Sequence, residues 1–367
     1  MTRTLYLRPI GLAAVPDRSR IDEVRGCLPI AGHRHLDFTG VEVIERQGAK
    51  FTLKTTSIGE LNETEWGRHA SAVSEFFTAL VMPRAAIAGL PMNRCHVMGI
   101  VNVTPDSFSD GGRHATPQAA IDHGLRLADA GAAILDIGAE STRPGAEPVP
   151  LDEELRRVMP VIEGLRSKTQ VRLSIDTRKA EVMRRAAEAG VDLINDVSAL
   201  THEPDALPMA AKTGLPVVLM HARGDPRTMQ SSPSYTNVLL DVFDFLEDRL
   251  AAAEAAGIPR SKVIVDPGIG FGKTIDHNLE LLAGLALFHS LGVPVLVGAS
   301  RKAFIGAVTG VEPAAERMAG SVGAALAAVA RAVQFVRVHD VAETVQALLV
   351  WQAIEAGRIT SGPVHRS

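Results

Sequence analysis

Short apolar runs alternate with longer stretches of helical spacing from residue 96 to the C-terminal region. Each run is rich in aliphatic and β-branched residues, and a segment with apolar positions every three or four residues follows it. This alternation is typical of parallel strands that are joined by helices. The predicted strands are 96–103, 132–138, 171–176, 193–198, 216–221, 263–268, 294–300 and 335–340.

Eight strand and helix units within about 260 residues predict a closed (β/α)8 barrel of the α/β class. An open, doubly wound parallel sheet is the alternative. Residues 1–95 lack this repeat but contain possible strands at "LYLRPI", "HLDFTGVEVIE" and "FTLKTT", and then a helix-like stretch. We therefore predict a small N-terminal α+β appendage over 1–95, the barrel over 96–357, and a C-terminal tail over 358–367.

Composition and motifs exclude several classes of protein. A net charge of −4 with 22% charged residues gives no basic field for nucleic acid or anionic lipid. The most apolar window, "AGSVGAALAAVARAVQFV", carries Arg331 and predicts a buried helix, so no membrane span is expected. Only Cys27 and Cys95 are present, which suits a reducing cytoplasm. The glycine-rich "VDPGIGFGKT" fits neither a Walker loop nor the dinucleotide fingerprint. A small-molecule partner is the best remaining interpretation.

Polar side chains stand near the C-terminal ends of the predicted strands. Active sites of (β/α)8 barrels are built at this face. A single such residue is explained equally well as a cap for the next loop, but several on one rim indicate a ligand site, because an unpaired buried polar group costs about 1–3 kcal/mol. The residues are Asn102, Asp136, Asp176, Asn195, His221, Asp266, Ser300, Arg337 and His339.

The types of these residues suggest two subsites. Asp176, Asn195 and Asp266 offer the acceptors and the amide donor that a flat heterocycle with ring N–H and amine groups requires, and Lys302 adds a cation for a ring carbonyl. Donors for a polyanion such as pyrophosphate come from a separate set of residues. That set comprises Arg143, Arg337, His339 and the loop at Asn102.

Seven motifs together resemble the dihydropteroate synthase family over about residues 96–355. They are, in order, "MGIVNVTPDSFSDGG", "LDIGAESTRPGA", "SIDT", "INDVS", "DPGIGFGK", "GASRK" and "RVHD". The resemblance implies a (β/α)8 barrel and a folate-pathway transferase that joins 6-hydroxymethyl-7,8-dihydropterin pyrophosphate to p-aminobenzoate and releases pyrophosphate. It also implies Mg²⁺ as cofactor, a target for sulfonamides as analogues of p-aminobenzoate, and a homodimer.

The resemblance also implies roles for individual residues. The loops "TPDSFSDGGRH" and "STRPGAEP" would close over the second substrate. Asn102 would meet the magnesium ion that accompanies the pyrophosphate. The catalytic residues would be Arg143, Lys302, Arg337 and His339. The substrate-binding residues would be Thr142, Pro144, Asp176, Asn195, Met220, Asp266, Phe271, Gly298, Ser300, Lys302 and Arg337.

Two other functions compete with the synthase. A pterin-dependent methyltransferase on a related barrel is expected to lack the combined "ESTRPG", "SRK" and "RVHD" anion site. A non-catalytic pterin-binding paralogue is expected to lack an Asp, Lys or Arg among the residues above, and none is missing. One departure from the family pattern is Ala303, where many members have Ser, and it leaves the contacts to the aminobenzoate carboxylate open.

Overall fold

The computed structural model describes residues 4–15, 26–61, 66–103, 116–140, 147–224, 229 and 233–358. The N-terminal part holds two small antiparallel sheets, of strand order β1-β5-β6 and β2-β4-β3, and one longer helix. Its elements are β1 (Leu5–Ile10), β2 (Ala13–Ala14), β3 (Leu28–Pro29), β4 (Leu36–Phe38), β5 (Gly40–Gln47), β6 (Lys50–Ser57), α1 (Ile58–Leu61) and α2 (Ala70–Val81).

The predicted strand "HLDFTGVEVIE" is divided into two strands by Thr39. β4 lies in one sheet and β5 in the other, so the chain changes sheets at this residue. The backbone N–H of Thr39 donates to Ile10, and its carbonyl accepts from Ile58. Thr39 thus joins the two sheets. The expectation of one continuous strand was wrong, because an apolar run in the sequence does not show that the chain changes its neighbouring strand.

A parallel eight-stranded sheet follows, with helices between its strands. The strands are β7 (His96–Asn102), β8 (Ile134–Gly138), β9 (Arg172–Asp176), β10 (Leu193–Asp196), β11 (Val217–Met220), β12 (Val263–Asp266), β13 (Leu296–Val297) and β14 (Phe335–Val338). The helices are α3 (Pro117–Asp129), α4 (Leu151–Arg166), α5 (Ala180–Glu188), α6 (Ala206–Thr213), α7 (Val238–Ala255), α8 (Ile275–Ala283), α9 (Ala303–Thr309), α10 (Met318–Val329) and α11 (Val341–Ala356).

The sheet closes into a barrel, as the sequence predicted. Its strand order is β12-β11-β10-β9-β8-β7-β14-β13, and a parallel bridge between Val265 and Val295 joins its two edges. There the N–H of Val265 donates to the carbonyl of Pro294 at 3.0 Å. An open, doubly wound sheet would leave those edges unpaired, so this alternative was wrong.

The N-terminal end of the barrel is filled with apolar side chains. Ile87 and Met92, from the segment that leads into β7, lie in a buried cluster with inward-facing residues of seven strands. These residues are Met98, Ile134, Leu193, Val218, Ile264, Leu296 and Phe335. The polar residues Asn102, Asp176 and Asp266 lie at the opposite end, since each is the last residue of its strand.

The N-terminal sheets share a core with the outside of the barrel. Tyr6 of β1 is fully buried, and its ring packs edge-to-face on Phe243 of α7 at 5.4 Å between centroids. The Tyr6 hydroxyl donates to Asp244 at 2.8 Å, and Arg46 pairs with Asp241 at 2.7 Å. Because aromatic packing and ion pairs meet on the same helix, the N-terminal sheets are fixed against α7, the helix that follows β11.

No helix within the described parts of the chain is long and apolar enough to cross a membrane.

Candidate active site

An ion-pair cluster of four side chains occupies the C-terminal mouth of the barrel. Arg337 donates from Nε to Asp136 Oδ2 at 2.6 Å and from Nη2 to Asp176 Oδ2 at 2.8 Å. Asn195 Nδ2 donates to the same Asp136 oxygen at 2.9 Å. These residues come from β14, β8, β9 and β10, which lie within the run β10-β9-β8-β7-β14 of neighbouring parallel strands, so the order of the strands in the sheet brings them together.

Burial sets the electrostatics of this cluster. Burial raises the pKa of Asp176 above its usual range although the Arg337 guanidinium acts in the opposite direction. For Arg337, burial would lower the pKa, but Asp136 and Asp176 raise it, so the guanidinium stays charged. Asp136 Oδ1 is buried and has no hydrogen-bond partner among the described residues. An unsatisfied buried oxygen of this kind points to a ligand or an ordered water in the mouth of the barrel.

Lys302 and Asp266 extend the cluster toward the aromatic ring of Phe271. The Lys302 ammonium lies 4.2 Å from the centroid of the Phe271 ring, and it donates to the carbonyl of Ile269. Burial lowers the pKa of Lys302 to about 8, and the nearby Asp266 opposes this shift. Burial also raises the pKa of Asp266, whose Oδ1 accepts from the N–H of Gly268 at 2.7 Å.

The loop after β12 is held by a buried lysine that the sequence analysis did not single out. Lys273 Nζ donates to the carbonyls of Gly268 at 2.9 Å and Phe271 at 3.0 Å, and it lies 2.8 Å from His221 Nδ1. Burial and Lys273 hold the pKa of His221 well below its usual range, so the imidazole is neutral and accepts this bond. Lys273 was detectable as the one cation in a glycine-rich loop at a strand end.

Gly268 is required where the same loop passes close to the neighbouring strand. Its φ is +68°, and a Cβ at this position would lie 1.9 Å from the carbonyl oxygen of His221. Only glycine fits both the backbone conformation and the space. The loop therefore keeps Phe271 beside Lys302.

A second polar group lies at the ends of β13 and β14. Ser300 Oγ lies 3.0 Å from His339 Nδ1 and accepts from the His339 N–H at 3.2 Å. Gly298 stands beside Arg337, since a Cβ there would lie 3.8 Å from that of Arg337. Asn102 ends β7 on the same rim and pairs in register with Gly138. These positions surround the Arg337 side of the cluster.

The structure thus brings together most of the residues that the sequence predicted. Met220 ends β11 beside Asp266 in register and is buried. Arg143, Thr142 and Pro144 lie outside the described residues. The loop 104–114 and residues 141–146 of the loop 141–148, which were predicted to close over the site, also lie outside them. Asp136 was recognised as a rim residue but not as the shared acceptor of Arg337 and Asn195, because that role depends on contacts between distant strands.

Comparisons with known proteins agree with this site. Residues 98–339 match the family described as pterin binding enzyme. Dihydropteroate synthase of Escherichia coli strain K12 is 49% identical over 264 residues, which is 72% of this chain and 93% of that protein. The solved structure of Xanthomonas albilineans dihydropteroate synthase with 4-aminobenzoic acid is 55% identical, with a TM-score of 0.70, and the match covers 75% of this chain and 98% of that one.

The product complex of the Xanthomonas albilineans enzyme is similarly close. This structure, with 7,8-dihydropteroate, is 52% identical with a TM-score of 0.68, and the match covers 75% of this chain and 99% of that one. A closed barrel with this polar mouth and this family match defines a pterin-binding enzyme. Within that class, the chain belongs to the dihydropteroate synthase family. The methyltransferase and the non-catalytic paralogue are not favoured.

The shared acceptor Asp136 yields the first prediction. Asp136→Ala removes the partner of both Arg337 and Asn195 from a fully buried position, and removing one member of a buried ion pair is strongly destabilising. We expect the free energy of unfolding to fall by about 3 kcal/mol. Urea unfolding measures this change, and Asp152→Ala, at an exposed position of α4, is the control with an expected change under about 0.5 kcal/mol. Equal stability of the two variants would contradict the role of Asp136.

Proposed function

We propose that the protein is a dihydropteroate synthase that joins 6-hydroxymethyl-7,8-dihydropterin pyrophosphate to p-aminobenzoate, giving 7,8-dihydropteroate and pyrophosphate in folate biosynthesis. The observation that carries this proposal is the arrangement of Asp136, Asp176, Asn195 and Asp266 around Arg337 and Lys302 in the barrel mouth. The ligand names of the similar solved structures, 4-aminobenzoic acid and 7,8-dihydropteroate, support both the substrate and the product.

The pterin subsite is assigned to the deep side of the mouth. Asp176 and Asp266 accept from the ring N–H and amine groups, and Asn195 both donates and accepts. Lys302 donates to the ring carbonyl, and Phe271 and Met220 contact the faces of the ring. These side chains are buried or half-buried and come from five neighbouring strands and their loops, so the shape of a flat ring is recognised together with its polar edge.

The anion subsite is assigned to the Arg337 side of the rim. Arg337, His339 and Ser300 lie there, Gly298 leaves space beside the guanidinium, and Asn102 is close in the barrel order. Arg143, Thr142 and Pro144 belong to this subsite and to the p-aminobenzoate pocket by the family motif. Since sulfonamides are analogues of p-aminobenzoate, we assign them to the same pocket.

The donors on this rim fit Mg²⁺ that is bound together with the substrate. Asn102 offers an amide oxygen, and Mg²⁺ is usually held by one or two protein groups plus substrate phosphates. Within the described ranges, no group of three or more His, Cys, Asp or Glu could hold a metal by itself. We therefore propose that the ion enters with the pyrophosphate and meets Asn102. When bound, it supplies Lewis-acid neutralisation of the leaving group.

The reaction follows from the charges that the mouth of the barrel presents. The C–O bond between the pterin methylene and the pyrophosphate breaks with both electrons going to oxygen, and a cation delocalised into the ring remains. Asp176 and Asp266 stabilise this cation, while Arg337 and His339 stabilise the departing anion. The amine of p-aminobenzoate then forms the new C–N bond and loses a proton to solvent. An aromatic amine needs no strong base to attack such a cation.

The second prediction tests the reaction and its metal together. Purified protein with both substrates and Mg²⁺ should release dihydropteroate and pyrophosphate in equal amounts. Chelation by EDTA should lower the rate at least about tenfold, because the leaving group loses its counter-charge, while binding of 6-hydroxymethylpterin, which lacks phosphate, should not change. Chromatography of the product and calorimetry measure the two effects, and added Mg²⁺ should restore the rate. Folded protein that makes no dihydropteroate would contradict the activity, and full turnover in EDTA would contradict the metal.

The third prediction concerns the charge of Lys302. Its pKa is lowered to about 8 by burial, so the ammonium is charged below that pH and neutral above it. Since a charged donor makes the stronger bond to the ring carbonyl, the dissociation constant of 6-hydroxymethylpterin should rise about threefold or more between pH 7 and pH 9. Lys302→Arg should lack the part of this rise that comes from Lys302, since arginine stays charged, and any change that remains belongs to other groups of the site such as Asp176. Calorimetry across the range measures both, and parallel profiles of the two proteins would contradict the assignment.

The N-terminal extension is assigned a packing role. We place its boundary at residue 95, because β7 of the barrel begins at His96, and we place the end of the barrel at residue 357, one residue beyond α11. The contacts of Tyr6 and Arg46 with α7 support a structural role for residues 1–95. Cys27 and Cys95 form no disulfide, which suits the cytoplasmic location that we propose.

The fourth prediction concerns assembly. We propose a homodimer through the outer faces of α9, α10 and α11, where Val308, Met318 and Ile354 are exposed, Ile354 to 70%. Light scattering should then give twice the 39.0 kDa of one chain. Ile354→Glu should shift the mass toward the monomer, because it buries a charge in the interface. Leu53→Glu, at a position on β6 that is 55% exposed, is the control and should leave the dimer intact. A single 39.0 kDa species for the unsubstituted protein would rule out the dimer.

A further inference from the structure

A buried cluster of charges lies beside the pterin subsite and takes no part in the reaction described above. It consists of Glu140, Glu154, Arg178 and Lys179, and we call it the turn cluster. Arg178 and Lys179 belong to the turn between β9 and α5, Glu140 follows β8, and Glu154 lies in the first turn of α4. Glu154 has no exposed surface, and the side chain of Glu140 is 5% exposed.

The contacts of the turn cluster all converge on the turn after Asp176. Lys179 Nζ donates to Glu140 Oε2 at 3.0 Å and also to Glu154, while Arg178 donates to the other oxygen of Glu140. Thr177, the residue next to Asp176, donates its hydroxyl to Glu154 Oε1 at 2.5 Å. Each residue of the turn from 177 to 179 is thus bound through its side chain.

Thr177 joins the turn cluster to the pterin subsite on both sides. Its backbone N–H donates to the carbonyl of Asn195 at 3.0 Å, and its hydroxyl also accepts from the N–H of Lys179 at 3.2 Å. Asp176 and Asn195, the two neighbouring ring-binding residues, are therefore separated from Glu154 by Thr177 alone. A shift of Thr177 would move both of them.

Stability alone does not account for a cluster of this composition. Two acids and two bases removed from water incur a desolvation cost that their attraction only roughly offsets, and apolar residues of the same volume are often as stabilising. Such a cluster fixes the geometry of the turn. Each buried charged group is stable only in the few positions in which its hydrogen bonds and ion pairs are formed. A carboxylate that must meet the edge of a pterin ring needs this fixation, since small displacements of binding groups cost affinity.

We propose that Glu154 is a positioning residue that, through the Thr177 hydroxyl, holds Asp176 and Asn195 in the geometry that binds the pterin ring. This inference rests on the proposed function, since it concerns the same ring subsite. Glu154 does not touch the substrate; it acts through Thr177. The inference does not extend to the p-aminobenzoate pocket, which we assign to the Arg337 side of the rim.

The fifth prediction separates positioning from general stability. In Glu154→Ala, the dissociation constant of 6-hydroxymethylpterin should rise about tenfold, which corresponds to about 1.4 kcal/mol. Thr177→Val keeps the shape of the side chain but removes the hydroxyl, and it should give a rise of similar size. Glu154→Gln keeps an oxygen that accepts from Thr177 and should restore the affinity to within about threefold. The KM of p-aminobenzoate at saturating pterin substrate should change by less than about twofold in all three.

Asp152→Asn, in the same helical turn but exposed, is the matched control and should bind the pterin as the unsubstituted protein does. If Glu154→Ala does not fold, Thr177→Val decides the question, because it leaves the charges in place. A lowered melting temperature with unchanged pterin affinity in Thr177→Val would overturn the inference, as would a parallel rise of the KM of p-aminobenzoate. An unsubstituted protein that binds no pterin would instead overturn the proposed function, and the inference with it.

Discussion

The bonds of one guanidinium to two buried carboxylates hold the mouth of the barrel together. Arg337 of β14 donates hydrogen bonds to Asp136 of β8 and Asp176 of β9, and Asn195 of β10 donates to the same Asp136 oxygen. Burial raises the pKa of Asp176 and of Asp266, and the Arg337 guanidinium opposes both shifts. Without Arg337 the carboxylates that bind the ring would not stay ionised side by side. Because this cation is present, the site exists before any ligand arrives.

The rest of the fold supplies the stability that this polar mouth lacks. The N-terminal end of the barrel is closed by Ile87 and Met92, which lie among inward-facing residues of seven strands. Tyr6 and its neighbours in the N-terminal sheets pack against α7 and belong to the same hydrophobic core as this helix. Further apolar side chains are buried between the strands and the helices that surround them, which permits strained glycines and buried charges at the C-terminal end.

The sequence predicted the barrel and the rim residues because both depend on local patterns. Strand ends were found to within three residues, and a polar residue at the C-terminal end of a barrel strand lies at the rim where active sites are built. The partners of these residues were not predictable in the same way. Asp136 and Arg337 are 201 positions apart, and Glu154 is 23 positions from Thr177. The hydrophobic periodicity of the sequence does not predict contacts between residues so far apart. The change of sheets at Thr39 was missed for the same reason, since it depends on which strand becomes the neighbour.

The distribution of charge in the mouth matches the charge that the proposed reaction creates. The three carboxylates Asp136, Asp176 and Asp266 outnumber the two cations Arg337 and Lys302 by one, so the mouth as a whole has one more acid than base when all are ionised. A cation that forms in the ring is stabilised by this excess, while the departing anion meets Arg337 and His339 on the other side. The linkage is reciprocal: the positive ring lowers the raised pKa of Asp176 by the same free energy with which ionised Asp176 stabilises the ring. The carboxylates that the empty enzyme keeps ionised only at a cost are therefore the groups that favour the cationic intermediate over the neutral substrate.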